Sequence, residues 1–340
     1  MKYSVILGTM TAAGLAAGAA MAGTLDDVQA RGKLNCGVTT GVPGFAQPDA
    51  DGVWQGFDVA VCRAVAAAVL GDGSAVEFVP TTGKTRFTSL ASGEIDMLAR
   101  NTTWTFSRDV DLKFEFTGVN YYDGQGFMVK KDTGITSSKS QDIDGVTVCI
   151  QTGTTTELNL ADHFRTVGMS YEPLPVESGS EAVTQYLAGA CDMFTTDASA
   201  LAARRANFEN PNDHVLLPEI ISKEPLGPLV RHGDNNWGDV VRWTLNALIT
   251  SEELGVTSGN IEEKSKGTNN PEMNRLLGSE GNLGEMLGLD ADWAKRAIMV
   301  GGNYGEIFEN NIGSGTIIGL ARGLNAQWTD GGLIYSPPFR

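Results

Sequence analysis

Lys33–Thr39 (KLNCGVT), Phe57–Leu70 (FDVAVCRAVAAAVL) and Val76–Pro80 (VEFVP) read as strand, helix and strand, and this run decides the fold class. Arg86–Ala91 continues it as a helix and Asp96–Ala99 as a strand. The same alternation restarts after Gly145, with Val146–Gln151 as a strand and Thr155–Val167 as a helix. Tyr171–Val176 is then a strand, Glu181–Ala190 a helix and Cys191–Thr196 a strand. Repeated strand–helix–strand units imply parallel sheets with right-handed crossovers. Two such sets imply an α/β protein of two lobes, each a mostly parallel sheet flanked by helices.

The segments between the sets read as crossovers. Gly118–Lys131 (GVNYYDGQGFMVKK) is extended and turn-rich, and Ser222–Asp234 (SKEPLGPLVRHGD) is rich in Pro and Gly without a helical period. If both cross between lobes, lobe 2 (123–229) is an insertion within lobe 1 (23–122 plus 230–254), and Trp237–Leu254 returns to lobe 1 as a long helix. Two crossovers make a hinge, and a cleft between lobes is a natural ligand site. Beyond Gly255 the pattern changes. Residues 260–281 are polar, and Leu283–Phe308 is helical in pattern but interrupted by five glycines. Residues 255–340 are therefore expected to form a helical and irregular extension packed on lobe 1, with Trp328 and Tyr335 packed on the body.

Residues 1–22 read as a secretory signal. Lys2 is their one charge, an apolar small-residue stretch runs from Val5 to Ala20, and Ala20-Met21-Ala22 fits a small-x-small cleavage site. A membrane anchor is the alternative, but the stretch is weakly hydrophobic and no stop-transfer pattern follows. Gly23, not Cys, follows the cleavage site, so no lipid attachment is expected there. Export makes disulfides possible. If Cys36 and Cys62 fall in one lobe and Cys149 and Cys191 in the other, 36–62 and 149–191 is the natural pairing; four buried free thiols are the alternative. The formal net charge of −16 argues against nucleic acid and against an anionic membrane surface as partners.

No G-x-S-x-G elbow, P-loop or H-E-x-x-H occurs, and His163, His214 and His232 have no catalytic neighbour pattern. No metal spacing and no cofactor motif is present. Three polar segments follow strands, where such folds bind ligands. In Ala99–Arg108 (ARNTTWTFSR), Arg108 offers a planar fork for a carboxylate, and Asn101 and Thr103 add donors and acceptors. The alternative is a surface arginine on a polar loop. Gln151–Glu157 (QTGTTTE) is a helix N-terminus with Thr154 among its capping hydroxyls, suited to an anion or simply a cap. Asp197, ending Thr195-Thr196-Asp197, can hold an ammonium group from lobe 2, cap the next helix, or both. Together Arg108 and Asp197 make a clamp for a zwitterion.

These stretches, with Gly56-Phe57-Asp58, Leu90–Gly93 and Asp96, resemble the periplasmic amino-acid-binding proteins of ABC transporters, over about residues 30–255. Arg100–Trp104 and the extension resemble the subgroup of general L-amino-acid or glutamate/glutamine/aspartate/asparagine binding proteins. The resemblance implies the type II two-lobe fold, a periplasmic location, monomeric action and delivery to an inner-membrane ABC permease. It implies that Arg108 binds the α-carboxylate, Asp197 the α-amine, and Thr103 and Thr155 further polar groups. Arg86 falls where binders of acidic amino acids hold the side-chain carboxylate. With Arg100 it would make the side-chain end positive, favouring Glu and Asp, with Gln and Asn accepted through their carbonyl oxygens. The first loop, Thr39–Pro43, lacks the acid of dedicated Lys or Arg binders. The rival reading is a periplasmic enzyme of the cyclohexadienyl or prephenate dehydratase kind. It needs a general acid, and Asp197, already used by the clamp, is the one candidate.

Overall fold

The computed structural model describes residues 23–340. The stretch read as a secretory signal, with the cleavage expected after Ala22, lies outside the described residues, and Gly23 is the N-cap of the first helix. In chain order the first part holds α1 (Thr24–Arg31), β1 (Leu34–Thr39), a small hairpin of β2 (Gln47–Pro48) and β3 (Trp54–Gln55), α2 (Phe57–Leu70), β4 (Val76–Thr81), α3 (Arg86–Ser92), β5 (Met97–Leu98) and β6 (Phe114–Phe116). β7 (Tyr121–Asp123) leads to β8 (Gln125–Lys130), β9 (Val146–Gln151), α4 (Thr155–Val167), β10 (Tyr171–Val176), α5 (Gly179–Leu187), β11 (Met193–Asp197), α6 (Ala198–Ala206) and β12 (His214–Leu216). The chain returns through β13 (Glu224–Leu226), β14 (Leu229–Arg231) and α7 (Asn235–Glu253). Five short helices follow: α8 (Ile261–Lys264), α9 (Pro271–Leu276), α10 (Leu283–Leu287), α11 (Trp293–Gly301) and α12 (Tyr304–Asn311).

Two five-stranded sheets share one plan, β4-β1-β5-β14-β6 and β10-β9-β11-β8-β12. In each, the strands joined by helices pair in parallel: β1 with β4 and β5, and β9 with β10 and β11. The remaining pairings are antiparallel. The sheets are thus mixed. A strand entering straight from a crossover has no intervening helix to bring it round, so it joins running the other way. The continuous apolar runs of β1 and β9 are buried on both faces, as parallel strands under helices require. α2 is apolar nearly all round and lies buried between its sheet and α7 and α11. Cys36 is bonded to Cys62, tying β1 to α2, and Cys149 to Cys191, tying β9 to the entry of β11. Closing loops of 26 and 42 residues, each stabilises by about 3–4 kcal/mol through the unfolded chain.

The sheets are joined by β7 and β13, which pair antiparallel with Tyr122 opposite Pro225. The extension is built onto the first sheet's helices. Trp293, Ala297, Ile298, Tyr304 and Phe308 share one core with Val61, Val65, Val241 and Leu245. It also clasps the crossover. Asn325 accepts from the Tyr122 N–H (2.6 Å) and donates to the Tyr122 carbonyl (3.1 Å), and the buried Tyr304 hydroxyl donates to the Asn120 carbonyl (2.8 Å). Trp328 and Tyr335 do not pack on the body as expected. They stand edge to face against each other and are 48% and 62% exposed. Ile334 between them is the buried anchor of this stretch. The patterned stretch 283–308 forms three helices, because Gly288 and Gly302 stop two of them in conformations with positive φ.

Asn325→Ala removes both bonds that cover the outer edge of β7. It is expected to lower unfolding free energy by about 1–3 kcal/mol, read from the midpoint of urea denaturation at constant m.

Candidate functional site

A convergence of buried polar groups lies between the sheets. The ends of β1, β5, β9 and β11 aim their loops into one cleft, whose empty space is about 580 Å³ counted out to its mouth. From the first lobe it is lined by Arg86, Arg100, Asn101 and Thr103, and from the second by Thr154, Thr155 and Asp197. Seven of the eight residues expected from the sequence therefore meet in one cavity. Arg108 is buried beside it but does not line it. Its Nη1 donates to the Thr103 carbonyl (2.8 Å) and its guanidinium lies 5.2 Å from the Phe87 ring.

Each side chain is held by the local fold. Arg86 opens α3 and is 2% exposed. It donates to Thr102 Oγ1 (3.2 Å) and, across the cleft, to the Gly153 carbonyl (3.3 Å), and stacks on the same Phe87 ring at 4.7 Å. Arg100 follows β5 and donates through Nε to the Thr81 carbonyl. Asn101 sits at φ 36°, a left-handed conformation that asparagine tolerates. Its N–H is held by Asp58, from the first turn of α2. The Asn101 amide has neither donor nor acceptor satisfied. Thr154 is the N-cap of α4, accepting from the Glu157 N–H. Asp197 stands at the N-cap of α6 but makes no capping bond, so its carboxylate is left to the cavity.

The lobes touch across this cleft. Lys84 pairs with Glu177 at 2.6 Å, and Arg204 Nη2 donates to the Gly41 carbonyl at 3.2 Å. Gly83 and Gly153 approach so closely that a Cβ on Gly83 would lie 2.5 Å from the Thr152 carbonyl oxygen, which only glycine permits. Glu224, from crossover strand β13, reaches both sides. Its carboxylate accepts from Thr103 of one lobe and from Thr155 (2.9 Å) and Asn159 (2.8 Å) of the other.

The site's charge is unbalanced. Burial lowers the Arg86 guanidinium well below its ordinary value, with the Arg100 and Arg108 charges adding to it. Burial brings Arg100, Arg108 and Arg204 down to about 10. Burial also raises the Asp197 carboxyl well above the usual range, reinforced by Asp123 and Glu224. Asp58 is pushed up to about 6 by burial, against the pull of its bonds to Asn101 and Asn120. None of these four arginines makes a direct ion pair among the described residues. The arrangement offers guanidinium and amide donors at one side and a carboxylate poised to ionise at the other.

Sequence reasoning missed Glu224 and Arg204. Glu224 sits in a Pro-rich crossover with no pattern around it. Arg204 carried a signal, because positions 197, 200 and 204 lie on one helical face, and all three line the cavity. The histidines lie away from the cleft. His163 bonds the Ser138 carbonyl, His214 the Tyr186 hydroxyl, and His232 faces Asp109 at 3.4 Å. Among the described residues no cluster of three or more His, Cys, Asp or Glu is placed to hold a metal.

Residues 34–258 match the family model of bacterial extracellular solute-binding proteins, family 3. The chain is 62% identical, over the whole of both chains, to the glutamate/glutamine/aspartate/asparagine-binding protein BztA of Rhodobacter capsulatus. It is 53% identical, again over the whole of both, to the general L-amino acid-binding periplasmic protein AapJ of Rhizobium johnstonii. A solved periplasmic binding protein from Brucella ovis with glutathione bound superposes with a TM-score of 0.90 at 55% identity, covering 94% of this chain and all of that one. A two-lobe α/β frame with a polar interlobe cleft, a matching family model over two thirds of the sequence and full-length relatives of one kind give one answer: the chain belongs to the bacterial extracellular solute-binding proteins, family 3.

Proposed function

We propose that this chain is an exported receptor that captures an L-amino acid between its lobes and hands it to an inner-membrane ABC permease. The ligands are glutamate, glutamine, aspartate and asparagine, and the receptor does not transform them. The observation that carries the reading is Asp197, a buried carboxylate without a capping bond, facing a cavity whose other charged lining residues are arginines. An α-ammonium supplies the charge that Asp197 lacks. Arg108 turns from the Thr103 carbonyl to the α-carboxylate, and Arg86 and Arg100 take the side-chain oxygen. The free Asn101 amide gives a donor and an acceptor together, which suits an acid and an amide side chain alike. The relatives from Rhodobacter capsulatus and Rhizobium johnstonii, with matching full-length sequences, support this ligand class. Ligand contact with both lobes shifts the open–closed equilibrium by the difference in its affinity for the two states. The dehydratase reading has less support, because the full-length relatives are named as amino-acid-binding proteins.

Titration calorimetry of refolded, ligand-stripped protein tests this with Glu, Gln, Asp, Asn, Leu, Arg and prephenate. Tight binding of the first four without turnover is expected; consumption of prephenate would move the chain to the enzyme class. Arg108→Ala and Asp197→Ala are each expected to cost roughly 2–4 kcal/mol, about 30- to 1,000-fold in Kd, with an unchanged melting profile of the free protein. Wild-type affinity in either variant refutes the clamp.

The proton balance is a separate check. In the free protein Asp197 holds its proton to a higher pH than an ordinary carboxyl. An ammonium group beside it favours the ionised form, so binding lowers its pKa and releases a proton. Affinity is therefore expected to rise with pH across the interval between the bound and free values. Binding heats in two buffers of different ionisation enthalpy should differ by a net proton release; identical heats would show that Asp197 does not meet the amine.

A further inference from the structure

Arg204 is the cleft arginine for which the amino-acid clamp has no use. It is 7% exposed and lines the cavity. A guanidinium has five N–H donors. One of these on Arg204 goes to the Gly41 carbonyl, and its Nε has no partner. No ion pair reaches it among the described residues, and burial is the whole cause of its lowered pKa, with no carboxylate opposing it. A buried guanidinium without a counter-charge is costly. The surroundings make it costlier. The guanidinium lies against Gly179, where a Cβ would come within 2.2 Å of Nη2. Gly179 is the first residue of α5, so the guanidinium sits against the positive end of a helix. Two sources of positive potential converge on one corner of the cavity.

The corner lies further along α6 from Asp197, the carboxylate proposed above to hold the amine. Asp197, Ala200 and Arg204 lie along one face of α6, and 197 to 204 spans about 10 Å of helix axis.

We propose that Arg204 and the N-terminus of α5 at Gly179 form a distal anion subsite, which takes a second carboxylate lying beyond the side chain of a bound glutamyl group, so that γ-glutamyl peptides are ligands of this cleft. The proposal rests on the amino-acid reading above, because the glutamyl end occupies the clamp. A free amino acid leaves the subsite to water; a γ-glutamyl peptide replaces that water with a charge-assisted bond to Arg204.

The test is calorimetric titration of the full mature chain, stripped of ligand, with glutamine, glutamate and γ-glutamylglycine. Wild-type protein is expected to bind γ-glutamylglycine within about 10-fold of glutamate. Arg204→Gln is expected to weaken the dipeptide by about 30-fold or more and glutamine by less than about 3-fold, since one charge-assisted bond is lost for the dipeptide alone. Arg204→Lys, which keeps the charge, is expected to retain dipeptide binding better than Arg204→Gln and serves if the glutamine variant fails to fold. Equal loss for all three ligands would make Arg204 a latch between the lobes through Gly41 and overturn the subsite. Wild-type protein that binds glutamate and glutamine but not the dipeptide would also overturn it while leaving the amino-acid reading intact. If none of the three binds, the amino-acid reading fails first and the subsite with it.

Discussion

The antiparallel pairing of β7 with β13 is the constraint on which the rest of the molecule depends. Each strand is three residues long. One residue, Gly124, separates β7 from the second sheet, and two residues separate β13 from β14 in the first. With so little slack, the lobes can move chiefly by bending this ribbon, and the loops at the ends of β1, β5, β9 and β11 are held face to face. An isolated two-stranded ribbon is marginal in water. Here its outer edge is covered by Asn325 and Tyr304 from the extension, and its inner side carries Glu224, whose carboxylate binds hydroxyls of both lobes. The extension thus contributes to the hinge as well as to the first lobe's core.

The lining of the cleft that this frame encloses carries three arginines, Arg86, Arg100 and Arg204, against one carboxylate, Asp197. Arg86, Arg100, Arg108 and Arg204 are desolvated and satisfied mainly by backbone carbonyls and the Phe87 ring, while Asp197 is driven toward its neutral form. A carbonyl dipole offsets only part of the cost of burying a guanidinium. The closed cleft is therefore electrostatically incomplete, and an anionic or zwitterionic ligand completes it. A site of this kind gains most from a ligand when the lobes are shut, because excluding water removes the screening that would weaken each contact. Closure and recognition are then one process.

The strand and helix elements of both lobes were legible because their signal is local. α2 and α4 are present over the residues read from the sequence, as is β9, because apolar runs and capping glycines depend on neighbours in the chain. The antiparallel half of each sheet was not legible, since it follows from the direction in which a crossover delivers a strand. Trp328 and Tyr335 were misread for a related reason: aromatic character predicts burial only when a partner surface is free, and here the neighbouring Ile334 takes it. In the site, residue types placed after strands pointed to Asn101, Thr103 and Asp197, while Arg86 and the role of Arg100 came from the family resemblance. Glu224 was hidden, because its importance comes from residues 69 and 121 positions away.

The sequence by itself determined the α/β class, the order of elements, the cysteine partners within each lobe once the lobes are drawn, and the residue types of a zwitterion site. All of these rest on periodicity, turn chemistry and side-chain functional groups, which are properties of short stretches. Tertiary structure alone decided which way each guanidinium points, that Arg108 rests on a backbone carbonyl beside the cavity, and that Asp197 is free of its helix. Those outcomes depend on desolvation and on charges brought together from distant parts of the chain. Burial and electrostatic fields exist only when the fold has closed around them.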